Sequence, residues 1–157
     1  MIQRIQTVWL LASAVMLLGL FIFPYVSFID LVGLGKKIMV TGVYSSVNNE
    51  SMRESTSLLQ AIVTAIIALF PFFIIFQYKN RKKQVTFIVV EIVLIIFLGI
   101  WMFSSANTIL GVISQKVQAG NIGVGFFLLP VAIIFLAMAI GGIRKDEKLI
   151  KSADRLR

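Results

Sequence analysis

The chain has 157 residues, of which 59% are hydrophobic and only 14% charged, with a formal net charge of +8. Ordinary soluble domains hold roughly 45–50% apolar and about 25% charged residues, so a soluble fold of this length cannot hide the apolar surface. With neither cysteine nor histidine, the chain also lacks the means for disulfides, thiolate nucleophiles, iron–sulfur clusters, His-ligated haem, typical zinc hydrolysis and Ser-His-Asp catalysis.

Four apolar stretches, 5–28, 58–78, 85–103 and 122–143, contain no Lys or Arg. Each is long enough to cross a hydrocarbon core about 30 Å thick at about 1.5 Å per residue. Backbone groups in lipid must be satisfied within the segment, which predicts helices. Residues 5–28 follow Arg4 and have the small residues Ala12, Ser13 and Ala14 in mid-segment. That is too long, and wrongly ordered, for a cleaved signal, so the stretch is expected to remain as a span.

The loop 29–57 is too long for a mere connection. Phe28 to Val32 and Lys37 to Tyr44 flank a turn at Gly33-Leu34-Gly35, which predicts a small β-hairpin. Ser45 to Ser51 reads as polar turn material, and Glu54 to Ser57 as the cap of the second span. The bland role of this loop is a lid over the helix ends, and the sharper one a docking surface for a partner. Pro71 and Pro130 lie inside spans two and four and predict static bends. In the loop 104–121, Ile109, Val112, Ile113 and Val117 recur at helical spacing; this suggests an extension of span three or an interfacial helix, with a strand joining the hairpin as the competing reading. Gly123, Gly125, Gly141 and Gly142 give span four small faces at both ends.

Eleven of the 15 Lys and Arg residues fall at the start of the chain, in the turn 79–83 or in the tail 144–157. The other four are Lys36, Lys37, Arg53 and Lys116. The positive-inside rule puts both ends and the 79–83 turn in the cytoplasm. The tail, with Leu149, Ala153 and Leu156 on one helical face, is expected to anchor topology and lie near anionic headgroups. Nucleic acid is not expected as a partner, because topology already accounts for the cations.

Glu91 is the one ionisable residue inside a predicted span. A carboxyl there is costly and by default marks a functional site, such as proton or cation coupling. The plain reading is a neutral or hydrogen-bonded carboxyl that ties helices together, with Gln60, Thr64, Ser13, Thr86, Arg4 or Arg144 as its partner. Asp30, Glu50 and Glu54 are scattered outer acids and make a weak metal site. No catalytic, metal-binding or cofactor-binding residue is assigned, and no cofactor is expected.

The opening Met1-Ile2-Gln3-Arg4-Ile5-Gln6-Thr7-Val8-Trp9-Leu10 and the closing run from Lys145-Asp146-Glu147-Lys148 to Asp154-Arg155-Leu156-Arg157 form a recognisable pair of end motifs. They resemble an uncharacterised family of small four-helix membrane proteins of Bacteroidota, domain of unknown function 4293. The resemblance implies the inner membrane of a Gram-negative cell and supplies no activity. It points to the two ends as a joint cytoplasmic surface, on which Gln3, Arg4 and Gln6 would meet Asp146, Asp154 or Arg155.

The expectation is an all-α membrane protein: a four-transmembrane-helix bundle with a small extracytoplasmic cap that has room for a β-hairpin. Its expected role is non-enzymatic, as a structural or accessory subunit in contact with lipid and with other membrane proteins or itself. The alternative is a small proton- or cation-coupled transporter or channel that uses Glu91.

Overall fold

A computed structural model describes residues 3–30, 33–47, 50–78 and 80–155. Among them the order is α1 (Gln3–Gly19), β1 (Val26–Ile29), β2 (Gly35–Met39), β3 (Gly42–Val47), β4 (Glu50–Thr56), α2 (Leu58–Phe76), α3 (Arg81–Gly111), a 3₁₀ turn (Ala119–Asn121) and α4 (Val124–Arg155). The all-α expectation is therefore wrong: the chain is mostly helical but carries a four-stranded antiparallel sheet in the order β1-β2-β3-β4.

Three helices are long and apolar enough to cross a membrane: Leu58–Phe76, Arg81–Gly111 and, within α4, Val124–Leu149. The first apolar stretch is not a fourth of that kind. Its helix stops at Gly19 and turns through Leu20 to Phe23, and Pro24, which has no N–H to give, leads into β1. From there the pattern changes period. Val26 and Phe28 are buried while Ser27 and Ile29 are exposed, the alternation of a strand with one covered face. Apolar content alone could not separate the helix from the strand that follows it.

The hairpin of β1 and β2 is present, with Val26 opposite Ile38 and Phe28 opposite Lys36. The second strand expected over 37–44 does not run through: the chain turns back at Val40-Thr41, and the sheet continues into residues expected as polar turn material and a helix cap. β3 pairs with β2 through Ile38 and Val43, and β4 pairs with β3 from Gly42–Thr56 to Val47–Glu50. Gly42 has φ +146°, and a Cβ there would lie 2.0 Å from the Ser55 carbonyl oxygen, so the tight β2–β3 turn needs glycine. Ser57 precedes α2 without a side-chain capping bond. In the 104–121 segment α3 runs on to Gly111 and a 3₁₀ turn follows at Ala119–Asn121, with no strand; just past it, Ile122 makes a single antiparallel bridge to Val26. The tail is no separate helix, since α4 continues to Arg155.

α1 packs against α4 and α2, and α3 against α2 and α4. Each contributes a buried seam made mainly of three- and four-residue steps, the spacing that keeps one stripe facing its neighbours. On α3 the seam is Gln84, Ile88, Glu91, Ile95, Leu98, Met102, Ala106 and Leu110; on α4 it includes Leu129, Ala132, Leu136, Ala139, Ile143 and Asp146. The outward faces are unlike those of a water-soluble bundle. Gln6, Ser13, Gln60, Thr64, Gln84, Glu91 and Asp146 are buried, whereas Ile62, Ile66, Leu69, Phe73, Val89, Val93, Phe97 and Ile100 are exposed. Apolar outward faces with polar groups turned inward are what a hydrocarbon solvent selects.

The helices run antiparallel in sequence, so the start of α1, the α2–α3 connection and the end of α4 share one end. There Gln6 meets Asp146, and Gln84 reaches the Ile74 carbonyl. The sheet lies at the other end, where the α4 start is hydrogen-bonded to Pro24 and Tyr25.

Candidate functional site

Three groups of polar side chains stand out, one at each end of the helices and one between. The middle one is Glu91. It occupies a seam position on α3, is 0% exposed, and neither carboxyl oxygen has a hydrogen-bond partner among the described residues. The partners expected from the sequence are engaged elsewhere. Ser13 donates to the Leu10 carbonyl at 2.7 Å, Thr64 to the Gln60 carbonyl at 2.8 Å and Thr86 to the Lys82 carbonyl at 3.1 Å. Arg144 is exposed, and the Arg4 side chain is outside the described residues. Gln60 faces the hydroxyl of Tyr25, near the sheet.

Close contacts between helices set the depth of Glu91. A Cβ on Gly142 would lie 3.1 Å from Gln6, and one on Gly99 would lie 3.3 Å from Leu129. Counting antiparallel from these contacts at about 1.5 Å per residue, Ser13 and Glu91 fall to either side of Leu136, opposite Phe135 and Ala137, near mid-length of the apolar part of α4. The carboxyl is far from either end. A buried polar group with no partner costs on the order of 1–3 kcal/mol. The fold carries that cost at a seam position flanked on α3 by Ile88 and Ile95.

At the basic end, the Gln6 amide donates to Asp146, and both residues are buried, at 7% and 6% exposure. The sequence placed these two on a joint end surface. The structure brings them together but faces them inward, as a tie between α1 and α4. Gln3, Arg4, Asp154 and Arg155 belong to the helical backbone, and their side chains lie outside the described residues. Beside the tie, a cavity of about 20 Å³ is lined by Gln6, Thr7, Ile75, Tyr78, Arg81 and Gln84. One nitrogen of the Arg81 guanidinium, which lines it, is buried without a partner among the described residues, as is one oxygen of Asp146, which is outside the lining. The space suits a single water bridging polar groups. Lys82, Lys83, Arg144, Lys145 and Lys148 are exposed around it.

The third group was missed as a unit. Asp30 and Glu54, read as scattered acids, converge on Lys36, whose ammonium lies 2.8 Å from Asp30 and 3.0 Å from Glu54. The hydrogen bond to Asp30, then that to Glu54, raises the Lys36 pKa above its ordinary value. Asp30 and Lys36 flank the hairpin turn, so their approach follows from a hairpin once its register is known. Glu54 arrives by a less legible route. Val43 pairs with Ser55, yet Tyr44 pairs with Arg53, so Glu54 is the extra residue of a β-bulge. Bulges re-aim side chains, and this one turns Glu54 toward Lys36. On the opposite face of the sheet, Arg53 stacks over Tyr44 at 5.7 Å and donates to the Thr41 carbonyl.

Tyr25, 1% exposed at the junction of α1 and the sheet, has its pKa pushed up to about 12 by burial, partly offset by its hydrogen bond with Gln60. Among the described residues no group of three or more His, Cys, Asp or Glu is placed to hold a metal ion.

No curated protein matches the chain significantly. A protein family does, over residues 2–156, so almost the whole chain takes part in the match. The chain belongs to the family described as Domain of unknown function (DUF4293).

Proposed function

We propose that the chain is an integral protein of a bacterial inner membrane, with its basic end in the cytoplasm and its sheet outside. Its role in this reading is non-enzymatic: an accessory or structural subunit that contacts another membrane protein or a second copy of itself. The observation that carries the reading is the exposed stripe Ile62, Ile66, Leu69, Phe73 and Phe76 on α2. Its alternating four- and three-residue steps make a straight apolar ridge on a helix whose opposite face is already packed, and such a ridge fits the groove of another helix. The surplus of exposed Lys and Arg at one end supports the orientation.

The test is photocrosslinking in native membranes from positions 66 and 69, with positions 93 and 97 on α3 as a comparison. One discrete protein adduct from 66 and 69 supports the reading, and lipid adducts alone from all four positions would overturn it.

A second reading, a small proton- or cation-coupled transporter or channel, is favoured by the unpartnered Glu91 carboxyl midway along the helices. It predicts ion-coupled flux in liposomes that Glu91→Gln abolishes without loss of folding. Equal flux from both proteins would remove it.

A further inference from the structure

Between the sheet and the last turn of α3 lies an open cleft of about 350 Å³, within the range of small-ligand sites. Its walls are Phe28 and Val43 from the helix-facing side of the sheet, Ile109 from the last turn of α3, and Val112 and Ile113 just beyond it. The remaining lining is polar: the Asp30–Lys36–Glu54 cluster and Ser55. An apolar cleft with ions at its edge, where an apolar helix ends, has the two-part character of a lipid–water interface.

We propose that this cleft binds a phospholipid with a primary-amine headgroup, its hydrocarbon against the five apolar walls and its ammonium against the carboxylates of Asp30 and Glu54. Three observations converge on that occupant. Two acids and one base give the cluster a net negative charge, which favours a cationic group and disfavours an anionic headgroup. Carboxylates accept hydrogen bonds from a primary ammonium, and a quaternary choline has none to donate. Glu54 reaches the cleft only through the bulge in β4, a local departure from regular pairing that the Lys36–Asp30 pair does not require. The phosphate of a zwitterionic headgroup is left on the Lys36 side. The proposal rests on the membrane reading above.

Delipidated full-length protein in a non-ionic detergent is titrated with phosphatidylethanolamine, phosphatidylglycerol or phosphatidylcholine of identical acyl chains, and bound lipid is counted by native mass spectrometry. Phosphatidylethanolamine is expected to bind about tenfold more tightly than the other two, a difference of one good ionic contact. Glu54→Gln should bring the three lipids to near parity. Val112→Trp, at a rim position 85% exposed, should weaken phosphatidylethanolamine binding about tenfold by filling the cleft. Equal binding of the three lipids by the unaltered protein overturns the proposal, as does an unchanged preference in both variants. Both substitutions are at exposed positions, and an unchanged melting midpoint confirms the fold of each. Alkaline carbonate extraction separates the two levels: release from membranes overturns the membrane reading itself, whereas retention with equal lipid binding overturns only this proposal.

Discussion

The junction of α1, β1 and α4 is held by backbone meeting backbone, and Gly123→Ala tests it. The Gly123 N–H donates to the Tyr25 carbonyl and the Gly125 N–H to the Pro24 carbonyl, both at 2.9 Å. A Cβ on residue 123 would stand 2.3 Å from the Pro24 carbonyl oxygen, 3.1 Å from its carbon and 3.3 Å from the Tyr25 carbonyl carbon. Main-chain atoms have no rotamer with which to withdraw, so the two segments must separate by about 1 Å. Overpacking of this kind costs about 1–3 kcal/mol. Weakening the two hydrogen bonds adds about 1 kcal/mol each, so the expected loss is about 3–5 kcal/mol, on the order of 10 °C in melting temperature for a chain this size. Gly141→Ala is the matched control. Its Cβ would meet nothing within 4 Å, and inside α4 the change should stabilise by about 0.5–1 kcal/mol. The assay is thermal unfolding in one detergent, followed by the fluorescence of Trp9 and Trp101. Equal midpoints for the two variants would refute the close backbone approach.

Raising the pH should loosen the same junction. The neutral Tyr25 phenol is favoured in the folded chain, so its contribution is complete below about pH 10 and is lost as pH rises through about 12. The full loss is on the order of 2–3 kcal/mol, and Tyr25→Phe should flatten that part of a stability–pH profile. Asp146→Leu strands the buried Gln6 amide and should cost about 1–3 kcal/mol, read as a lower melting midpoint, whereas Leu149→Ala at an exposed position should change little. Glu91→Met replaces an unpartnered buried carboxyl with an apolar side chain of similar length and should raise the midpoint by a few degrees. Lys36→Met leaves Asp30 and Glu54 facing each other without their cation. It should lower the midpoint modestly, by about 1 kcal/mol because water screens the cluster, and added salt should narrow the gap from the unaltered protein.

The long apolar stretches of α2, α3 and α4 were legible because a run of about twenty apolar residues is the length a membrane-crossing helix demands and more than a soluble core helix uses. The stretch 5–28 was misread for the same reason. Hydropathy is blind to the change of period after Pro24, where Val26 and Phe28 turn to one side. The sheet was half legible. β1 and β2 announce themselves by β-branched runs around glycines, but Ser45, Ser46, Ser51 and Ser55 make β3 and β4 look like loop. Those strands are held by pairing with neighbours, a property their composition does not carry. Glu91 stood out as a charge in a hydrophobic run, yet its lack of a partner could be found only in three dimensions, since Ser13 and Thr64 were equally plausible donors until their bonds to their own helices were seen. The meeting of Gln6 and Asp146 was anticipated from the two end motifs; their burial was not, because exposure depends on where α2 and α3 pack.

In the proposed arrangement α2, α3 and α4 cross a membrane with α1 packed alongside them, which puts the sheet and the basic end on opposite sides. The absence of cysteine allows a direct test, in which single cysteines at positions 37, 82 and 148 are probed in intact spheroplasts with a membrane-impermeant maleimide. Position 37, exposed on β2, should label at once, and positions 82 and 148 should label only after the membrane is permeabilised. Labelling of all three positions before permeabilisation, or of 82 and 148 but not 37, would contradict the account.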